Sequence, residues 1–312
     1  MGKDILELFT LDIDDKKVYV GSDLSTRELY FYVIENDSLV PISKELFNRA
    51  SDKVSDKVSD NAGFKELLES LVKTYAKDNT NKSYDNTNLN RNWKNIRILY
   101  NQSKLNKSSA SYELINNILN FELPKELLSF SGILPLQVLH VLRTILIHEI
   151  GHMSVSELLV ENNCLVAKVG FWEKRYFLKE KLLTTDGNNY FRVDSSKEPQ
   201  INKGQGLEEL FNELETDMRS NSATAPRFAY ELDKLTNGRL RIARQNHSLE
   251  SYYSMMYEIN PSENMAEILL LAINKYYELL HNQDNEMVNR ISNLINHIIF
   301  EYQISKSNLP KK

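Results

Sequence analysis

Leu136 to Leu158 reads LQVLHVLRTILIHEIGHMSVSEL and is the most strongly apolar helix-patterned stretch of the chain. The spacing predicts one helix over 136–158, and that helix carries His148, Glu149 and His152. Residues four apart on a helix differ by ~40° in azimuth and rise by one turn, so both imidazoles face one point. Two neutral imidazoles so placed can share one tetrahedral zinc ion. Glu149 stands beside the first histidine, where its carboxylate can reach a water that the metal polarises, as the base of metal-assisted hydrolysis does. Two histidines and a glutamate are otherwise costly to bury in a core helix.

A catalytic zinc site takes three protein ligands and leaves a fourth position open. Six residues past His152 stands Leu158, which offers none. Farther on, Gly206 to Asp217 reads GLEELFNELETD on a helical pattern, with Glu213 and Asp217 four apart on one face. Glu213 can ligate, and Asp217 can accept a hydrogen bond from the far nitrogen of a ligating histidine and so fix its tautomer. Glu209, one turn before Glu213, is the main rival. Glu208 and Glu215 point elsewhere if Glu213 points inward.

HEIGH followed by FNELETD resembles the gluzincins, the thermolysin-like zinc metallopeptidases, whose third ligand is the Glu of an Asn-Glu-x-x-Ser/Thr-Asp sequence on a later helix. The resemblance implies an α+β, zincin-like core that hydrolyses peptide bonds. By it, His148, His152 and Glu213 bind Zn2+, Glu149 is the general base and Asp217 supports His148. It covers two helices and departs from the family in one respect. His152 and Glu213 are 61 residues apart, much farther than in thermolysin, so a β-rich stretch at about 163–194 is expected as an insertion. The family also uses a downstream His or Tyr to stabilise the oxyanion. His247 is the leading candidate here, with Tyr230, Tyr252 and Tyr253 behind it. HEIGH is also similar to the motif of ImmA-like factors, zinc-site proteins that act on a partner repressor. That similarity implies regulatory capture of one protein partner with little general peptidase activity.

Outward from these motifs, residues 1–42 alternate apolar and polar residues in runs such as Leu29-Tyr30-Phe31-Tyr32-Val33-Ile34, a strand signature, with Glu35 to Ser38 as a hairpin turn. The repeat SDKVSDKVSD at 51–60 reads as a solvated helix or loop, and 64–76 as a helix. Residues 77–92, rich in Asn, Asp, Thr and Lys, suit a flexible linker. Helical character is expected from 111, interrupted by Pro124 and Pro135. Strands are expected over 164–171, 175–178 and 190–193, and helices at about 206–220, 226–236, 248–259, 262–281 and 284–303. His140, His281 and His297 are expected on packed helix faces, and Met255, Met256 and Ile268 to Leu271 in a helical core. Arg239, Arg241 and Arg244 read as a solvated basic cluster. The expected organisation is a strand-rich N-terminal module with a helix at 1–76, a linker at 77–92, and a zincin-like domain at 93–312 ending in a helical bundle.

The chain has 312 residues, of which 41% are hydrophobic and 26% charged, a globular profile rather than a disordered one. Its net charge of −5 gives no basic excess to neutralise phosphates, so nucleic acid is a poor partner and a peptide or protein substrate the expected one. One cysteine, Cys164, rules out an intrachain disulfide and fits a reducing compartment. Neither a secretory leader nor ~20 uncharged apolar residues in a row is evident, so a cytoplasmic protein without a membrane span is expected.

Overall fold

A computed structural model describes residues 2–13, 15–54, 70, 73, 87–102, 109–123 and 136–308. It is an α+β chain, with strands dominating its N-terminal part and helices its C-terminal part. Two compact units divide it. One comprises Met1–Asp78, Asp85–Ala167 and Arg175–Gln200, and the other Asn79–Tyr84, Lys168–Lys174 and Ile201–Lys312. These boundaries differ from the expected 1–76, 77–92 and 93–312, and the reason lies in strand pairing.

Strands β1 (Asp4–Ile13), β2 (Lys16–Asp23), β3 (Leu29–Glu35) and β4 (Ser38–Pro41) form an antiparallel meander. The expected turn is present: Asn36 and Asp37 both take left-handed backbone, at φ 48° and 59°, as a two-residue hairpin loop requires. Helix α1 (Lys44–Val54) lays Leu46 and Ala50 on Val18, Val20, Phe31 and Val33. The later strands β8 (Ser156–Glu161), β9 (Cys164–Val169), β10 (Trp172–Leu183) and β11 (Asn189–Val193) continue the same sheet, because β11 pairs in parallel with β1. Its order is β4-β3-β2-β1-β11-β10-β9-β8. The expected β-rich stretch at about 163–194 is present, and its strands join the N-terminal ones in one sheet.

A second, three-stranded sheet comes from β5 (Arg97–Gln102), β6 (Ser109–Glu113) and β7 (Ile118–Leu123), in the order β5-β7-β6 with β6 at an edge. Helix was expected from 111. Residues 109–113 instead alternate exposed and half-buried positions in strand fashion, and Asn117 turns the chain at φ 51°. Of the expected linker, residues 87–92 belong to helix α2 (Thr87–Lys94), which buries Leu89 and Asn92; residues 77–86 lie outside the described residues. So do 55–60 of the repeat, most of 64–76, Pro124 and Pro135.

Helix α3 (Leu136–Ser154) carries the HEIGH sequence. Its buried residues Leu142, Leu146, Ile147, Ile150 and Met153 pack with Leu89, Leu119 and Phe121, each worth ~1.5–3 kcal/mol for full burial of a large apolar side chain. The helix stops four residues earlier than its apolar pattern suggested. The Ser156 hydroxyl donates to the His152 carbonyl at 2.6 Å, and β8 starts at once, Leu158 passing into the sheet's buried set.

The other unit is helical: α4 (Gln205–Ser220), α5 (Arg227–Leu235), α6 (Arg239–Gln245), α7 (Leu249–Ile259), α8 (Glu263–His281) and α9 (Asn285–Ser307). The short strand β12 (Gln200–Ile201) leads into it. Leu207, Leu210, Phe211 and Leu214 of α4 enter a core with Phe228, Tyr252, Met256, Leu269, Leu270, Ile273 and Ile299. Ile268 and Leu271, expected in that core, are exposed. Gly206 lets α4 approach α8 closely: a Cβ there would overlap Asn274. Asn274 fixes the crossing, accepting from Gly206 N–H and donating to the Lys203 carbonyl, both at 2.7 Å.

Candidate metal centre

The two histidines of α3 come together as the four-residue spacing requires. Their Nε2 atoms are 3.2 Å apart, with the rings edge-on at 4.8 Å between centroids. Two nitrogens each bound at ~2.0–2.1 Å to one tetrahedral ion lie roughly 3.4 Å from each other, so the separation matches a shared metal as well as a hydrogen bond between the rings. Both rings are half-buried, while Glu149 is only 6% exposed. A buried carboxylate needs hydrogen-bond donors, and the backbone N–H of Tyr112 on β6 donates to Glu149 Oε2 at 2.7 Å. The N–H of residue 112 thus points away from β7. Edge strand β6 runs beside the candidate base, a placement that the helical expectation for 111 onward could not supply.

In the helical unit, α4 sorts its carboxylates by face. Glu208, Asn212 and Glu215 point to Arg244, which is fully buried. Arg244 donates through Nε and Nη2 to the two Glu208 oxygens at 2.9 and 2.6 Å, through Nη1 to Glu215 at 2.9 Å and through Nη2 to Asn212 at 2.8 Å. A solvated basic cluster was expected of residues 239–244, and Arg244 departs from it. Arg239 and Arg241 make more exposed pairs with Glu258 and Asp233. The turn Lys168–Lys174 belongs to this unit; Gly170, at φ +51°, sits where a Cβ would strike the Glu208 carboxylate.

Glu209 and Glu213 occupy the other face and are half-buried. Glu213 Oε2 accepts from the Tyr277 hydroxyl at 2.6 Å. Burial, and then the charges of Glu213 and Glu209, hold the Tyr277 phenol well above its ordinary range. Glu209 lines an open cleft of about 730 Å³ with Gln205, Asn274, Tyr277 and His281. Nothing in the sequence pointed to Tyr277. Its signal was weak, one of two adjacent tyrosines on an apolar helix.

Asp217 is engaged within its own unit. Its Oδ1 accepts from Ser222 Oγ, Thr224 N and Thr224 Oγ1, and its Oδ2 from Ala225 N and Tyr230 Oη, all at 2.6–2.8 Å. A carboxylate offers about four lone-pair sites, so these five donors fill it. Burial alone would raise its pKa, but the bonds from Ser222, Thr224, Tyr230 and Ala225 outweigh that and hold it at about 2.

Among the oxyanion candidates, Tyr252 is fully buried and donates to the Ala266 carbonyl at 2.7 Å, Tyr230 donates to Asp217 and Tyr253 to Glu267. His247 has left-handed backbone at φ 52°, with Nδ1 3.4 Å from the Gly170 carbonyl. His140, His281 and His297, expected on packed faces, are exposed. Cys164 opens β9 as a half-buried free thiol.

No helix among the described residues is long and apolar enough to cross a membrane. No family model, curated protein or solved structure matches the chain.

Proposed function

We propose that the chain is a zinc-dependent peptide-bond hydrolase, with His148 and His152 as ligands and Glu149 as general base. The observation that carries this reading is the Nε2–Nε2 approach of 3.2 Å next to a buried carboxylate that the Tyr112 N–H holds in place. For the third ligand the reading prefers Glu209 to Glu213. Glu209, a half-buried carboxylate one turn before Glu213, offers the third donor. Glu213 already serves Tyr277, and the filled carboxylate of Asp217 suits holding the 222–225 loop better than orienting an imidazole.

Zinc bound there would act as a Lewis acid, polarising the scissile carbonyl and acidifying water. Glu149 would take the water's proton on its carboxylate and pass it to the departing amine nitrogen. An edge strand from the earlier part of the chain would receive the substrate as an added extended strand, which makes an unfolded peptide segment the preferred ligand. A single cysteine suits a reducing, cytoplasmic setting for this activity.

Metal analysis of the purified chain, paired with a peptide-library cleavage assay on wild type and Glu149→Gln, tests the reading. One zinc per chain and cleavage that the variant loses would support it. Zinc without cleavage, together with stable capture of one protein, would favour the ImmA-like alternative. A chain that binds no zinc at micromolar concentration would overturn both.

A further inference from the structure

Glu149 belongs to a closed ring of polar contacts that the reaction itself does not use. Its Oε2 accepts from the Tyr112 N–H at 2.7 Å. The hydroxyl of the same tyrosine donates to Asn117 Oδ1 at 2.8 Å, and Asn117 Nδ2 donates to the Asn92 carbonyl at 2.9 Å. The Asn92 side chain then donates from Nδ2 to the carbonyls of Met153 and Ser156, both at 3.0 Å. Met153 lies one turn beyond Glu149 on α3, so the helix closes the ring.

Each member is set by its surroundings. Asn92 is fully buried and Asn117 nearly so. Burial raises the Tyr112 phenol to about 12, so it stays a neutral donor. Arg27, 1% exposed, adds a brace by donating to the carbonyls of Leu114 and Ile115, directly after β6. Arg91 donates to the Ser156 carbonyl at 2.8 Å, steadying the end of the helix. Hydrophobic packing between α3 and β7 is non-directional and leaves the sliding of β6 along the helix loosely specified. The ring supplies the direction.

We propose that Tyr112, Asn117 and Asn92 are positioning residues for Glu149, holding β6 at the one offset along α3 at which the Tyr112 N–H meets the carboxylate. The proposal rests on reading Glu149 as the base. A carboxylate so fixed is held through Oε2 at one place against β6. Displacing a reacting group by about 1 Å can cost ~100-fold in rate, so the ring acts on turnover and leaves substrate affinity and metal binding alone.

Tyr112→Phe and Asn117→Gly test it. Glycine accepts the left-handed backbone of residue 117, so the second variant deletes two links without backbone strain. Zinc-loaded protein is assayed for kcat, KM and zinc affinity, and amide hydrogen exchange is followed at residue 112. Both variants should lower kcat ~10–100-fold with KM and zinc affinity within about twofold, and in Asn117→Gly exchange at Tyr112 should quicken more than about tenfold relative to Leu119 on β7. Unchanged kcat in both variants, or exchange at Tyr112 indifferent to Asn117→Gly, would overturn the proposal. Should wild type hydrolyse nothing while exchange at Tyr112 still answers to Asn117→Gly, the ring stands and the peptidase reading is what fails.

Discussion

The hydroxyl of Tyr277 on α8 donates to Glu213 Oε2 on α4 across 2.6 Å, one helical turn from Glu209. That pairing is the ground on which Glu209, and not Glu213, is proposed as the third ligand. Glu209→Ala should weaken zinc binding by more than the ~10–100-fold typical of losing an outer partner, because a charged ligand goes. Glu213→Gln keeps an acceptor for Tyr277 and should stay within about tenfold of wild type. Chelator competition ranks them, and a Glu213 variant losing metal more severely than Glu209→Ala would return the third ligand to Glu213.

Glu149→Gln should retain one zinc and the native fold but lose at least ~100-fold in kcat, since an amide cannot accept the proton of water. His152→Ala should lose the metal itself. Atomic absorption alongside cleavage kinetics separates the two effects, and full activity in Glu149→Gln would remove the base from the scheme.

Removing the Arg244 guanidinium strands two buried carboxylates. Arg244→Leu should cost about 3–5 kcal/mol in urea unfolding, the usual penalty for breaking a buried ion pair from one side. Arg239→Ala, which breaks a pair with Glu258 that is largely exposed, should cost under about 1 kcal/mol. Equal losses would mean that the Glu208–Arg244–Glu215 cluster contributes no more than a surface pair.

Asp217 makes stability fall in acid. Its folded pKa, about 2, lies below the ordinary 3.8, so the unfolded chain takes up the proton first. The contribution is complete above about pH 5 and is lost as pH falls from there through about 2. It amounts to roughly 2 kcal/mol. Asp217→Asn should be less stable than wild type at pH 7 and should converge on it near pH 2, as urea midpoints across that range would show. A gap that stayed constant with pH would mean the loop bonds do not favour the ionised form.

Most helices of the C-terminal unit were legible, α6 excepted, because their apolar period and end signals agree. Ser248 and Asp284 accept from Ser251 N and Met287 N as expected of N-caps, and α4 begins one residue before its expected start. The HEIGH pair was legible for the same reason, since spacing on a helix fixes geometry. What sequence could not supply is choice between neighbours on one helix. Glu208, Glu209, Glu213 and Glu215 differ only in which partner awaits them, and Arg244 and Tyr277 lie dozens of residues away. Strand β6 was hidden for another reason: Ser109 to Glu113 is short and polar, and its strand character comes from pairing with Ile118–Leu123. In α2, one leucine amid asparagines was too thin a signal for a helix.

The parallel pairing of β1 with β11 sets a timetable for synthesis. Asp4 and Asn189, joined side chain to side chain, are 185 residues apart. At ~5–20 residues per second, a ribosome releases β1 roughly 10–40 s before its parallel neighbour exists. During that interval the meander β1–β4 can form, but the far side of β1 is an unpaired strand edge that exposes Ile5 and Leu6, both fully buried in the finished sheet. Such an edge invites pairing with other nascent chains. Folding yield of this protein should accordingly depend on whatever shields that edge until translation has passed residue 193.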